Sequence, residues 1–515
     1  MTLDIHKLKQ QLWKYFKISS FRPGQSEIIR DSLAGNDVLG VLPTGSGKSL
    51  CYQLPATLLG GVTIVVSPLI SLMEDQVKQL KAVGFKSVVS LNSFMNPVEK
   101  KHVLQGLDQY QLIYLSPELL QQRSIIQWLQ EMTVKLFVID EAHCISQWGH
   151  EFRPDYLRLA DVLNLLNHPP VMALSGTATP EVQDDIATSL NRQEIKKHIY
   201  PMDRDNITFS VKKVTGEQEK QDIIVSLLKR FRVPALIYFS SKRKTEEVAA
   251  FLSEHMSSHR IAFYHGDMDQ MDRITIQQQF MNDQIDVICC TSAFGMGINK
   301  QNIRMVVHYH FPMQMASYIQ EIGRAGRDGK SSISLLLYSP SDQAIPHSII
   351  ENELPKADDL PHIGRQLRQW EQLPTTEELL QTLGLNEIQW RFLHYQMEWH
   401  GLIKNNQMIY DQGYWDRALQ HIGKLIGNRL EWKHEKLQEM LRWIQERHCL
   451  RRELYKGFQD SYKPPVYACC SNCDFSFKHW SPVQTSQYRP SLTWETKLKH
   501  IFFAEESYAK TERTN

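Results

Sequence analysis

A lysine and a serine that follow closely spaced glycines are a means of holding phosphate. Pro43-Thr-Gly-Ser-Gly-Lys-Ser49 places them directly after the strand-like run Val38-Leu-Gly-Val-Leu42 and before a stretch of helix-like pattern. Glycines let backbone N–H groups curl around phosphate oxygens, and the following helix N-terminus favours negative charge. Thr44, Gly45, Ser46, Gly47, Lys48 and Ser49 are therefore expected to bind nucleotide, with Lys48 neutralising β/γ charge and Ser49 ligating Mg²⁺. The loop is of Walker A type with one departure: Leu42 stands where the first glycine of the motif is expected.

Asp140-Glu-Ala-His143 follows a second apolar run, Leu136-Phe-Val-Ile139. Phosphoryl transfer needs one acid for the metal shell and one group to orient the attacking water, and Asp140 and Glu141 are assigned to these roles in that order. An acid pair after a strand is otherwise a solvated strand end, so the conjunction with the phosphate loop carries the reading. Further on, Gln320-Glu-Ile-Gly-Arg-Ala-Gly-Arg-Asp-Gly329 sets Arg324 and Arg327 three apart, on one face if helical. Presented across a cleft, they could stabilise charge developing on a γ-phosphate; their bland alternative is surface ion pairing with Glu321 or Asp328.

A third constellation is built of sulfur. Cys449 ends a helical pattern and Cys469-Cys-Ser-Asn-Cys473 follows a proline-containing loop. In a reducing compartment a C-x-x-C knuckle plus one further Cys is metal-ligand spacing, and soft thiolates select Zn²⁺. Cys449, Cys470 and Cys473 are the expected ligands. The fourth is open among Cys469, His479 and His448, with Cys469 preferred as a thiol; a set of reduced structural cysteines is the alternative.

These residues need a scaffold. Between Val38 and Val307, short β-branched runs alternate with amphipathic stretches, which is how parallel strands covered on both faces read. The expected fold is α/β: two tandem RecA-like parallel-sheet domains, then a mainly helical accessory region with a zinc module. The expected boundaries are 1–205 for the nucleotide-binding domain, 206–345 for the second lobe, 346–412 for a helix-turn-helix or winged-helix-like element, 413–480 for a helical hairpin with the zinc module, and 481–515 for a short tail. Within the accessory region Thr375-Thr-Glu-Glu378 reads as a capping box, a helix follows over 386–399, and Gly401-Leu-Ile-Lys404 with Met408-Ile-Tyr410 reads as a small hairpin. That order suits a winged helix, though small helical bundles share it. Two long helices are expected over 414–430 and 432–458.

Composition sets the limits. The chain of 515 residues carries Lys+Arg 58 against Asp+Glu 57, so no global charge excess advertises a polyanion partner. Residues 421–515 hold 16 Lys+Arg against 11 Asp+Glu, a local excess that suits phosphate contacts or simply a solvated helical face. There is neither an apolar run of bilayer length nor a signal-like N-terminus, so a cytoplasmic location with no membrane partner is expected.

Taken together, Phe21-Arg-Pro-Gly-Gln25, Pro43-Thr-Gly-Ser-Gly-Lys-Ser49, Ser67-Pro-Leu-Ile-Ser-Leu-Met73, Asp140-Glu-Ala-His-Cys-Ile-Ser-Gln-Trp-Gly-His150, Phe152-Arg-Pro154, Ala293-Phe-Gly-Met-Gly-Ile-Asn-Lys300 and the 323–329 run resemble the RecQ family of superfamily 2 DNA helicases, in its short bacterial form. The resemblance implies that Gln25 reads adenine, since an amide can bond N6 and N7 together, and that Arg22 lies at the nucleotide. Ile18 stands where many members carry an aromatic that stacks on the base. It also implies that Gln147, Trp148, Phe152 and Arg153 belong to an aromatic-rich loop coupling single-stranded DNA to ATP hydrolysis; without it, Trp148 and Phe152 would read as core. Ser175-Gly-Thr-Ala-Thr179 reads as the link between nucleotide state and DNA state, or as a helix N-cap before Pro180. The family's zinc module carries four Cys, and Ser476 falls where the fourth would align.

The expected function is thus an ATP- and Mg²⁺-dependent DNA helicase with bound Zn²⁺, a monomeric motor acting on single-stranded and partly duplex DNA in recombination and repair beside repair or single-strand-binding proteins. Its 3′→5′ polarity is implied by the resemblance alone. A DNA-stimulated translocase and an RNA helicase with the same motor are the alternatives, and a bacterial, nucleoid-associated setting is implied.

Overall fold

The computed structural model describes residues 4–92, 95–146, 153–295, 298, 300–404, 406–459 and 462–484. Seven strands form a first sheet: β1 Val38–Val41, β2 Val62–Val66, β3 Val88–Leu91, β4 Leu112–Leu115, β5 Val134–Ile139, β6 Val171–Ser175 and β7 Lys196–Ile199. Their order is β3-β4-β2-β5-β6-β1-β7 and every pairing is parallel. The central strands β1, β2, β4 and β6 are buried at every position, which is why they read as unbroken apolar runs.

The topology positions the chemistry. β5, β6 and β1 are neighbours, with Ile139 level with Ala173 and Val41 level with Ser175. The acid pair, the 175–179 run and the phosphate loop therefore leave the same sheet edge side by side, at the carboxyl ends of the strands where α/β proteins bind ligands.

The chain crosses residues 200–206 to a second sheet: β8 Ile207–Lys213, β9 Ala235–Tyr238, β10 Ile261–Tyr264, β11 Val287–Cys290, β12 Met305–His308 and β13 Ser332–Tyr338, in the order β10-β11-β9-β12-β13-β8. All its pairings are parallel as well. β8 is an edge strand on this list, and residues 468–471 cover it: Phe209 N–H donates to Cys469 O at 3.2 Å and Ser471 N–H to Phe209 O at 2.8 Å. An otherwise open edge is thereby closed.

Beyond β13 the helices Leu360–Leu367, Thr376–Leu383 and Glu387–Trp399 lead to the hairpin β14 Ile403–Lys404 and β15 Gln407–Met408, which Gln372 joins through an antiparallel bridge to Gln407. Thr375 accepts from Glu378 N–H at 3.4 Å, but the reciprocal capping box forms at Asn386 and Gln389. This unit has its own core, centred on the fully buried Trp415.

The two long helices expected over 414–430 and 432–458 are instead one helix, Gln412–Ile444, of 33 residues and about 50 Å, followed by the short Leu450–Tyr455. Its buried face carries two apolar stretches, Trp415 to Ile426 and Leu437 to Ile444, separated by a charged middle. At the middle, Arg429 and Lys433 are held by Glu353 of the helix Ala344–Glu353 rather than by solvent. Its first half packs in the accessory core and its last turns in the core of the two lobes. No helix among the described residues is long and apolar enough to cross a membrane.

Candidate active site and cysteine cluster

The phosphate loop turns back on itself at two residues that require glycine, Gly45 at φ +83° and Gly47 at φ +81°. Ser46 N–H donates to Pro43 O at 3.0 Å, and Ser49 caps the helix Leu50–Leu58. The loop is braced from behind. Arg22 Nη1 donates to Gly45 O at 2.5 Å, and the Gln25 amide donates to Ser46 O at 2.9 Å and Gly47 O at 3.0 Å. Gln25, expected to read adenine, is here 2% exposed with its amide nitrogen turned onto the loop carbonyls and its oxygen accepting from Arg22 N–H at 2.9 Å. Ile18 lies at the cleft wall.

Lys48 Nζ stands 3.5 Å from Glu141 Oε2. Glu141 adopts φ +50°, a left-handed conformation uncommon for a side chain of its size and a frequent mark of functional sites. Asp140 is buried and accepts from Glu141 N–H at 3.0 Å. Burial, aided by the neighbouring Glu141 charge and opposed by Lys48, pushes its carboxyl up to about 6. A buried acid held this way fits a divalent cation, whose charge would restore the ionised form. His143 is fully buried; its Nδ1 lies 3.0 Å from Ser175 Oγ and 3.5 Å from Glu141 Oε2, a connection between the acid pair and the 175–179 run that spacing alone did not disclose. Thr179 is the N-cap of Pro180–Ser189, accepting from Val182 N–H at 3.4 Å.

The second lobe brings its two arginines to the same cleft, a cavity of about 400 Å³ lined by Lys48, Ser49, Asp140, Glu141, Arg324 and Arg327 among others. Arg324 donates to Gly295 O and Arg327 Nη1 to Ile298 O at 2.5 Å. Burial, with the Arg324 and Arg204 charges, pushes the Arg327 guanidinium down to about 9. The acids that could have drawn these arginines into surface pairs are engaged elsewhere: Glu321 with His308 at 2.9 Å, and Asp328 with Arg304. Arg324 Nε is buried in this cleft with no hydrogen-bond partner among the described residues, as befits a group facing a polar ligand.

Of the residues expected at DNA, Gln147, Trp148 and Phe152 lie outside the described residues. Arg153 donates Nη1 to Pro68 O at 3.0 Å, tying the start of the helix Pro154–Leu157 to the loop after β2.

The four thiols of Cys449, Cys469, Cys470 and Cys473 lie within 4.8 Å of one another, with Cys449–Cys469 at 3.6 Å and Cys470–Cys473 at 3.4 Å. Four sulfurs placed tetrahedrally around Zn²⁺ stand about 3.8 Å apart, so the set fits that ion closely. Cys469 completes the group of four thiols, and neither His448 nor His479 is in it. Asn472 knits the knuckle to the connection between the long helix and Leu450–Tyr455, donating to Glu446 O at 2.8 Å and His448 O at 2.9 Å.

Two parallel-sheet lobes with a phosphate loop on one and paired arginines on the other define a nucleotide-driven helicase motor. Residues 22–186 match the DEAD/DEAH box helicase family and residues 219–329 the helicase conserved C-terminal domain. The chain is 40% identical over 501 residues to the probable ATP-dependent DNA helicase RecS of Bacillus subtilis (strain 168), covering 96% of this chain and 98% of that protein. It is also 40% identical over 384 residues to the ATP-dependent DNA helicase RecQ of the same organism, covering 73% and 64%. Among solved structures, the DEAD-box helicase Mss116 bound to ssRNA and UDP-BeF shares the fold at TM-score 0.57 and 17% identity, over 85% of this chain and 90% of that one. The chain belongs to the RecQ family of superfamily 2 helicases, and it is an ATP-hydrolysing helicase.

Proposed function

We propose that this protein is a DNA helicase that moves 3′→5′ on single-stranded DNA and opens duplexes during recombination and repair. The observation that carries the reading is the meeting of the two lobes at the phosphate loop: a Cβ added at Gly323 would stand 2.8 Å from Thr44 Cβ, and one at Gly45 would stand 3.0 Å from Arg327 Cγ. A γ-phosphate bound there is touched by both lobes at once, so its loss alters the contact between them.

In this mechanism the arriving γ-phosphate replaces Glu141 as the partner of Lys48, and the released carboxylate orients the attacking water. Arg324 and Arg327 stabilise the charge that develops as the phosphoryl group transfers. Ser49 and Asp140 would hold Mg²⁺, which would supply charge neutralisation to the phosphates. His143 relays the position of Glu141 to Ser175 and so to the strand-end loop that resembles the family's coupling motif. Cys449, Cys469, Cys470 and Cys473 would hold Zn²⁺, a structural cross-link between the Leu450–Tyr455 helix and the edge of the second sheet. DNA as substrate and the polarity follow from the RecQ resemblance and the names of the relatives.

The test is ATP-dependent displacement of a labelled strand from a partial duplex with a 3′ overhang, beside the 5′-overhang version. Displacement of the first alone is the expected result. If single-stranded DNA stimulates ATPase while neither substrate opens, the protein is a translocase; stimulation by RNA alone would assign it to RNA.

A further inference from the structure

The segment between the sheets, residues 200–206, is gripped from both sides. From the cysteine-bearing side, the 3% exposed Arg451, two residues past Cys449, donates to the Asp203 carboxylate, to Arg204 O at 3.1 Å and to Ile207 O. Gln459 Oε1 accepts from the N–H groups of Met202 and Asp203 at 2.9 and 3.0 Å, and Val466 N–H donates to Asp205 O at 2.9 Å. From the other side the segment reaches into the second lobe. Arg204 Nη1 donates to Gly323 O at 3.2 Å and its Nη2 to Gly326 O, while Asn206 Nδ2 donates to Gly326 O at 2.8 Å. Gly323 and Gly326 are the residues immediately before Arg324 and Arg327.

We propose that Arg204 and Arg451 are positioning residues: Arg451 fixes the seam, and Arg204 on that seam holds the two peptide carbonyls that aim Arg324 and Arg327 at the phosphate loop. Neither touches the reacting atoms. A planar guanidinium suits both places because it can bridge several acceptors in fixed geometry, which an ammonium cannot. Asp203 is the counter-charge that keeps Arg451 in place: both side chains are almost wholly buried. The accessory region is thereby connected to the hydrolytic site through two arginines and one short segment. The proposal rests on the reading of Arg324 and Arg327 as the groups that stabilise the transferring phosphoryl.

The test is steady-state ATPase of the full chain with an oligothymidylate, for Arg204→Ala, Arg204→Lys, Arg451→Lys, Arg327→Ala and the Arg204→Ala/Arg327→Ala double variant. Misaiming a catalytic group by about 1 Å costs on the order of 10²-fold in turnover, so Arg204→Ala is expected to lose kcat by that order. Its KM for ATP stays within about threefold, because Lys48, Ser49 and the loop N–H groups that would hold the phosphates belong to the first lobe. Arg451→Lys, which keeps the charge but not the bridge, loses about tenfold. The double variant falls further than Arg327→Ala, through Arg324, but by less than the product of the two single losses, since part of the Arg204 effect passes through Arg327. Unchanged kcat in Arg204→Ala, a matching rise in KM, or single losses that multiply in full in the double variant overturns the proposal. Should Arg204→Ala not fold, Arg204→Lys, which retains one donated bond, carries the same readings. Arg327→Ala at full kcat would instead sink the underlying reading of the arginines, whereas an inactive Arg327→Ala beside a normal Arg204→Ala sinks the positioning role alone.

Discussion

Arg327 of the second lobe lies directly on Gly45 of the phosphate loop, so close that a Cβ at Gly45 would stand 3.0 Å from its Cγ and 3.2 Å from its Cδ. The absence of a side chain at one residue thus sets how near an arginine from the other sheet can come.

Gly45→Ala is expected to do two kinds of damage. A side chain at φ +83° is strained by about 1 kcal/mol, visible as a lowered thermal midpoint. Displacement of Arg327 should lower kcat by at least tenfold, a ratio read directly from DNA-stimulated ATPase; a variant with wild-type turnover would show that the Arg327 approach is incidental.

Lys48→Ala should abolish ATP turnover while leaving binding of a fluorescent single-stranded oligonucleotide within a few-fold of wild type. Lys48 pairs with Glu141 at 3.5 Å on the wall of the cleft, outside the apolar core. Normal ATPase in this variant would remove the phosphate loop from the mechanism.

The cysteine cluster distinguishes two neighbouring positions. Cys469→Ser should reduce bound zinc from about one ion per chain to well below that, measured by metal analysis after gel filtration. Ser476→Ala should leave zinc content unchanged, because Ser476 is outside the group of four thiols. The opposite pattern would restore the alignment that places the fourth ligand at Ser476.

Trp415→Ala should cost about 3–5 kcal/mol in the accessory core, the usual loss for a fully buried large aromatic. The ring belongs to the core that holds Leu367, Leu419 and Ile422, with the Tyr410 ring at 5.9 Å between centroids, and not to the core of either motor sheet. Calorimetry should therefore show an early transition while basal ATPase persists; loss of ATPase in step with that transition would show the units unfold as one.

Much of the motor was legible because its signals are local. β1, β2, β4, β5 and β6 are read from unbroken apolar runs, and those runs exist because central parallel strands are covered on both faces. β7 and β8, with lysines at Lys196, Lys197, Lys212 and Lys213, escaped that reading: they lie at sheet edges, where one flank meets solvent or another segment. The break expected between 430 and 432 does not occur: the helix continues through it, and Arg429 and Lys433 on either side are held by the distant Glu353.

The sequence by itself determined the chemical inventory: the glycines and Lys48, the Asp140–Glu141 pair, the two arginines and the thiols, each set by short spacing on one element. Tertiary structure decided their company. It engaged Glu321 with His308 and Asp328 with Arg304, turned Gln25 onto the phosphate loop, chose Cys469 as the fourth thiol, and set Arg451 against Asp203. Spacing along a helix or strand follows from backbone geometry, whereas a contact between elements, 13 residues apart for His308 and Glu321 or 248 apart for Asp203 and Arg451, depends on how whole elements pack.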